Sequence, residues 1–140
     1  MAINISKITI NASPEKVWTA LTAPELVKLW QYGSELITSW EPGTDIRFRT
    51  EWNDQVFEQW GKVLEFHPAD TLIYTLFAPR PDREDIPENY FEMKYKLTPD
   101  GHATKLEIIQ TDNRPNAVQE PEQGEENPVL AMLKEIAEGL

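Results

Sequence analysis

The sequence predicts an α+β fold in which a curved antiparallel sheet is wrapped around a C-terminal helix, and three stretches predict it. Ser13 to Trp30, SPEKVWTALTAPELVKLW, reads as two short helices with a sharp joint. Ile46, Phe48, Thr50 and Trp52 alternate with Asp45, Arg47, Arg49 and Glu51, as in a strand with one buried and one wet face. Val129, Leu133, Ile136 and Leu140 form a helical stripe near the C-terminus, flanked by Leu130, Met132 and Ala137. The paired helices are too short to be stable alone, so they need an apolar sheet to pack against.

Taken in order, β-branched Ile3, Ile5, Ile8 and Ile10 mark a first strand that ends at Asn11. Ser13 caps the first helix, with Pro14 at its first position, where a missing N–H costs nothing. Val17 and Leu21 form its apolar face, with Trp18 and Ala20 to one side. Thr22-Ala23-Pro24-Glu25 reads as a capping box that starts the second helix, whose inner face is Leu26, Leu29 and Trp30. Tyr32-Gly33-Ser34 breaks that helix. Leu36, Ile37 and Trp40 suggest a short strand, followed by a turn at Glu41-Pro42-Gly43-Thr44.

Asn53-Asp54 turns the chain out of the alternating strand. From Phe57 to His67, Trp60, Val63, Leu64 and Phe66 do not keep one parity, which predicts a bulge or strong bend near Gly61. After the turn at His67-Pro68-Ala69-Asp70, Leu72 to Phe77 is a further strand. Ala78 to Asn89 is a charged loop too long for an ordinary hairpin connection. Phe91, Met93, Tyr95 and Leu97 alternate with Glu92, Lys94 and Lys96. A turn at Pro99-Asp100-Gly101 leads into a last strand carrying Leu106 and Ile108. Asn113 to Asn127 has no periodicity and reads as a loop or mobile linker. Asn127 and Pro128 are the expected cap and first position of the final helix.

The 140 residues suit one domain spanning the chain, with five Trp, four Tyr and five Phe as bulky core material. The absence of cysteine excludes disulfides, thiolate zinc sites and cysteine nucleophiles. A formal charge of -11 opposes binding to nucleic acid or to an anionic membrane surface. No window is long and apolar enough for membrane insertion, and the N-terminal MAINISKITI lacks the marks of a secretory signal, so a cytoplasmic location is expected.

The chain resembles the helix-grip domains of the superfamily that includes polyketide cyclases, START domains and the major birch allergen (Bet v 1-like proteins). Within it, the chain most resembles the branch named for the activator of the Hsp90 ATPase. The resemblance rests on V-W-x-A-L-T and P-E-L-x-x-x-W between Ala12 and Trp30, on Trp40-Glu41-Pro42-Gly43, and on Gly61 to Pro68 leading into Thr71-Leu72. It covers essentially Ile5 to Leu140. Members usually bring Gly-Trp into the start of the last helix, where this chain has Asn127-Pro128-Val129. The resemblance implies a space between sheet and helices, and roles ranging from carriage of apolar ligands to cyclisation and chaperone activation. A fold by itself does not choose among these.

The strand aromatics are the best site candidates. Phe48, Trp52, Trp60, Tyr74, Phe91, Met93 and Tyr95 are expected to line the cavity, where Tyr and Trp offer polar handles to an apolar ligand. Trp18 and Trp30 read as structural. Arg47 and Arg49 have the opposite parity and are expected to pair with Glu51 and Glu58. His67 and His102 show no metal-ligand spacing, and no nucleophile elbow, phosphate loop or dinucleotide fingerprint occurs. No catalytic residue, metal site or cofactor is assigned on this basis. Glu58, Glu92 and Glu107 are the carboxylates an enzyme would have to use, and Glu58, sharing parity with Trp60, is the one to examine. The expected function is non-catalytic binding of a small apolar or amphipathic ligand. The alternatives are a cyclase- or dehydratase-type enzyme acting on an aromatic or polyketide-like compound, and a chaperone-related module with a protein partner or a second copy of itself.

Overall fold

The computed structural model describes residues 1–140 and shows strand β1 (Ala2–Ile10), helices α1 (Pro14–Thr22) and α2 (Pro24–Trp30), then strands β2 (Glu35–Thr38), β3 (Asp45–Trp52), β4 (Gln55–His67), β5 (Thr71–Leu76), β6 (Phe91–Asp100) and β7 (Ala103–Asp112), and a final helix α3 (Pro128–Glu138). A single 3-10 turn, Pro87–Asn89, interrupts the loop between β5 and β6. The strands form one antiparallel sheet in the order β1-β7-β6-β5-β4-β3-β2. Helix α3 packs against α1, α2 and β1, so all three helices cover one face of the sheet, as the helix-grip architecture requires.

Local chemistry explains the helix starts. Ser13 Oγ accepts from the Lys16 N–H at 3.3 Å, and Asn127 Oδ1 accepts from the Val129 N–H at 2.9 Å. The expected capping box at Thr22 does not form. Thr22 is the last residue of α1, its hydroxyl donates to the Trp18 carbonyl at 2.8 Å, and Ala23 caps α2 without a side-chain bond. A single residue between the helices leaves Thr22 inside the first one, where back-bonding to residue i−4 takes its hydroxyl. The joint also rotates α2. Val27 and Trp30 are its buried residues, whereas Leu26 is half-buried and Leu29 is 60% exposed. The carbonyls freed at the end of α1 are taken by indoles: Trp30 Nε1 donates to Ala20 O at 2.9 Å and Trp40 Nε1 to Thr22 O at 3.1 Å.

Strand β4 resolves the parity conflict of its sequence by a bulge at Leu64, between Val63 paired with Tyr74 and Glu65 paired with Ile73. Before the bulge Gly61 and Val63 face inward; after it, Phe66 does. The expected bulge near Gly61 is therefore displaced by three residues. Gly61 is required for another reason, because a Cβ there would overlap the Thr75 carbonyl on β5. The glycine lets two strands approach where bulkier residues could not.

The segment expected to be a loop or mobile linker is a loop that covers the free edge of β1. Lys7 N donates to Gln123 O at 2.9 Å, Gln123 N to Ile5 O at 3.1 Å, and the Gln119 and Asn4 side chains add further bonds between the two segments. Its amides occupy an edge that would otherwise be open to pairing. The long loop after β5 folds against the outer face of the sheet. Asp85 accepts from Trp60 Nε1 at 2.9 Å and from the Tyr90 hydroxyl, beside the rings of Trp60, Phe77 and Tyr90. These bonds hold the Asp85 carboxyl below its ordinary range, and desolvation together with Asp85 pushes the Tyr90 phenol up to about 12.

Candidate functional site

Inward-facing residues alternate along each strand, and near one end of the sheet they stop short of α2 and α3, leaving a cavity of about 340 Å³. Strands β5 and β6 supply Tyr74, Leu76, Phe91, Met93 and Tyr95, and β7 adds Ile108 and Gln110. Trp30, Gln31 and Tyr32 flank it at the end of α2, and Val129 and Leu130 at the start of α3; its mouth is open to solvent, with Tyr32 83% exposed. Ser6, Gln59 and Asn127 complete the wall. No Asp, Glu, Lys, Arg or His is among the lining residues.

The structure brings four of the seven expected aromatic-wall residues together here: Tyr74, Phe91, Met93 and Tyr95. Phe48 lies behind them, 6% exposed, with its ring 5.9 Å from that of Tyr74. Trp52 and Trp60, expected on the cavity wall, are placed elsewhere. Trp52 has the inward parity of β3, but the strand outruns the helical layer and leaves it 68% exposed. Trp60 precedes the inward Gly61 and so faces outward, with the Arg47 guanidinium 5.4 Å from its ring centroid. Glu58 follows the same outward parity. It bonds Arg47 at 2.5 Å and lies 3.9 Å from Arg49, which also pairs with Glu51 at 2.8 Å. These partly exposed pairs contribute little to stability. Glu107 lies beside Lys7 on the outer face, Glu92 shares that outward direction, and both histidines are exposed. A larger depression of about 640 Å³ sits on the outer face, but its lining of Lys7, Lys96, Lys105 and Glu107 is mostly charged.

At the back of the cavity the hydroxyls of Tyr74 and Tyr95 meet at 2.8 Å, on rings stacked 5.8 Å apart. Burial pushes both phenols up, Tyr95 to about 12 and Tyr74 well above its ordinary value. The pair remains neutral across the physiological range and can only offer or accept hydrogen bonds there. Behind Tyr74 the aromatic contacts continue through Trp40 and Phe66 to Trp18. Trp40 holds its place with φ at 64°, a left-handed value uncommon for a large residue.

Phe91 is supported from outside by Arg114, whose guanidinium is 4.5 Å from the ring centroid. Arg114 is in turn fixed by Asp112, 4% exposed, through bonds of 2.8 Å from Nε and 2.7 Å from Nη2. These bonds hold the Asp112 carboxyl below its ordinary 3.8. A lowered folded-state value means that its stabilisation is present above about pH 4 and is lost as pH falls through that value. Asp112→Asn is therefore expected to lose about 2 kcal/mol at pH 7. Urea melts from pH 6 down to pH 2 should show a shallower acid loss in the variant than in the parent chain.

Several wall residues escape a search for aromatics. Gln110 and Ser6 share the inward parity of Leu106 and Ile108, and of Ile8 and Ile10, so a polar residue in an apolar series is the signal that marks them. Gln59 becomes inward only once the bulge is placed at Leu64 rather than at Gly61. Gln31 and Tyr32 follow a helix end, where no periodicity points to a side-chain direction.

Comparison with known proteins agrees with this architecture. The family model described as activator of Hsp90 ATPase homolog 1-like protein matches residues 11–138. A search of curated proteins found no match. Among solved structures, ChR145 from Cytophaga hutchinsonii is 33% identical with a TM-score of 0.70, over 83% of this chain and 80% of that one. MLL2253 from Mesorhizobium loti is 22% identical with a TM-score of 0.71, over 96% and 95% of the two chains. DynU16, a protein of the dynemicin biosynthetic locus, is 20% identical with a TM-score of 0.63, over 83% of this chain and 39% of its own. With its helices and seven strands arranged as described and nearly its whole length matched, the chain belongs to the activator of Hsp90 ATPase homolog 1-like family.

Proposed function

We propose that this chain binds a small apolar or amphipathic molecule between its sheet and helices α2 and α3. The observation that carries the reading is the cavity of about 340 Å³, aromatic on the sheet side and free of charged side chains. Its volume falls at the small end of the range for ligand pockets, and a few amides and hydroxyls among apolar walls are what such pockets use to orient a ligand. Native mass spectrometry of protein purified under mild conditions, followed by a screen of lipids and polyketide-like aromatics, tests it. A bound compound should be displaced by Met93→Trp, which fills the cavity from β6, with affinity falling at least about tenfold. Failure of every compound to bind the parent chain would sink the reading.

A cyclase- or dehydratase-type activity is the second reading; DynU16, which shares the fold, belongs to a biosynthetic locus. The groups in the cavity suited to it are Tyr74 and Tyr95, neutral acids able to donate to an oxygen on which charge develops. The cavity offers no carboxylate or imidazole as a base, so the substrate or water would have to accept the proton. Turnover of an aromatic poly-ketone by the parent chain, lost in the Tyr74→Phe variant, would favour this reading over simple binding. No helix is long and apolar enough to cross a membrane.

A further inference from the structure

The two phenols at the back of the cavity have more hydrogens than the protein uses. Tyr74 and Tyr95 together carry two hydroxyl hydrogens, and the 2.8 Å contact between their oxygens takes one. Neither hydroxyl makes a further bond to a backbone carbonyl or a carboxylate, although each ring is at most 4% exposed. Either hydroxyl can be the donor in that contact, so one O–H of the pair is left without a partner in the protein.

Two of the other polar groups on the wall are already engaged, while Ser6, Gln59 and Gln110 make no side-chain bond within the protein. Asn127 is committed at both ends: its oxygen accepts from Val129 N and its amide nitrogen donates to Gln123. The indole N–H of Trp30 is used by the Ala20 carbonyl. No cation lines the space, and the Arg114 guanidinium behind Phe91 is neutralised by Asp112. A carboxylate ligand would lose its hydration without gaining a counter-charge, whereas a neutral oxygen acceptor would satisfy a buried donor.

We infer that the cavity selects uncharged apolar molecules bearing one acceptor oxygen, such as an aryl ketone, quinone or ester, and that the Tyr74–Tyr95 pair reads that oxygen. This rests on the cavity being a binding site, and a matched set of probes separates the two claims. NMR titration would compare 2-acetylnaphthalene, 2-ethylnaphthalene and 2-naphthoate, which share a ring system and differ in the group that reaches the phenols. The ketone is expected to bind about tenfold more tightly than the hydrocarbon, the worth of one buried hydrogen bond. The carboxylate should bind about a hundredfold more weakly than the ketone. In the double variant Tyr74→Phe/Tyr95→Phe, ketone and hydrocarbon should bind equally. Binding of the hydrocarbon with no preference for the ketone overturns the inference and leaves the binding function standing; so does a carboxylate that binds as well as the ketone. If none of the probes or screened compounds binds the parent chain, the binding function falls and the inference with it. Should the double variant not fold, the ketone-to-carboxylate ratio in the parent chain decides.

Discussion

Replacing Gly61 by alanine is expected to cost about 3 kcal/mol, lowering the melting temperature by about 10 °C. The cause is steric and backbone-to-backbone. The new Cβ would overlap the Thr75 carbonyl oxygen and stand 3.1 Å from Leu76 Cα, and neither can swing aside as a side-chain tip would. Relief requires β4 to move away from β5, which breaks the bridge in which Trp60 and Phe77 exchange backbone bonds at 3.3 and 2.7 Å. That bridge also sets the Trp60–Phe77–Tyr90 cluster against which the long loop folds. Urea denaturation and thermal melts measure the loss; a variant within 0.5 kcal/mol of the parent, a bound set by ordinary surface substitutions, would show that the strands do not meet this closely.

Leu133→Ala should cost a comparable amount, about 3 kcal/mol, by a different route. Leu133 is fully buried at the centre of α3, with Leu130 and Ala137 on the same face. Truncation leaves a void among α1, α2 and the sheet that the surrounding backbone cannot fill. Met132, one residue earlier, is 43% exposed, and Met132→Ala should stay within about 0.5 kcal/mol. Chemical unfolding of the pair separates the inner face of α3 from its outer one. Because Leu130 is both a core residue and part of the cavity wall, loosening α3 should also weaken whatever the cavity holds.

The residues that mark the family and those that line the cavity are largely different sets. The residues carrying the family pattern, Val17, Trp18, Leu21 and Trp30 on the helices and Gly61 and Val63 on β4, are mostly engaged in holding helices to sheet or strand to strand. The cavity is lined by others, Tyr74 and Tyr95 at its back, with Gln31, Gln59 and Gln110 around them. A shared architecture therefore transmits the existence of the cavity more readily than the chemistry of its lining.

Much of the architecture was legible in local patterns. Alternation in β3 and β6, proline-started helices at Pro14 and Pro128, and the apolar stripe of α3 each express a period or cap that a few neighbouring residues specify. The same local reading put Tyr74, Phe91, Met93 and Tyr95 on the inward face, where the structure has them, because their strands keep one parity throughout. It misplaced Trp60 because parity in β4 changes at Leu64, and a bulge is settled by pairing with β5 rather than by β4 alone. It misplaced Trp52 because inward parity says nothing about where the covering helices end.

By itself the sequence determined which segments become strands and helices, because backbone preference and hydrophobic period are properties of adjacent residues. Only the tertiary structure decided that Gln119 to Gln123 would cover β1, that Asp85 would fasten the long loop, and that two phenols from neighbouring strands would share one hydrogen bond. Those contacts depend on register and on the distance between layers, and both arise only when segments remote in the chain are brought together.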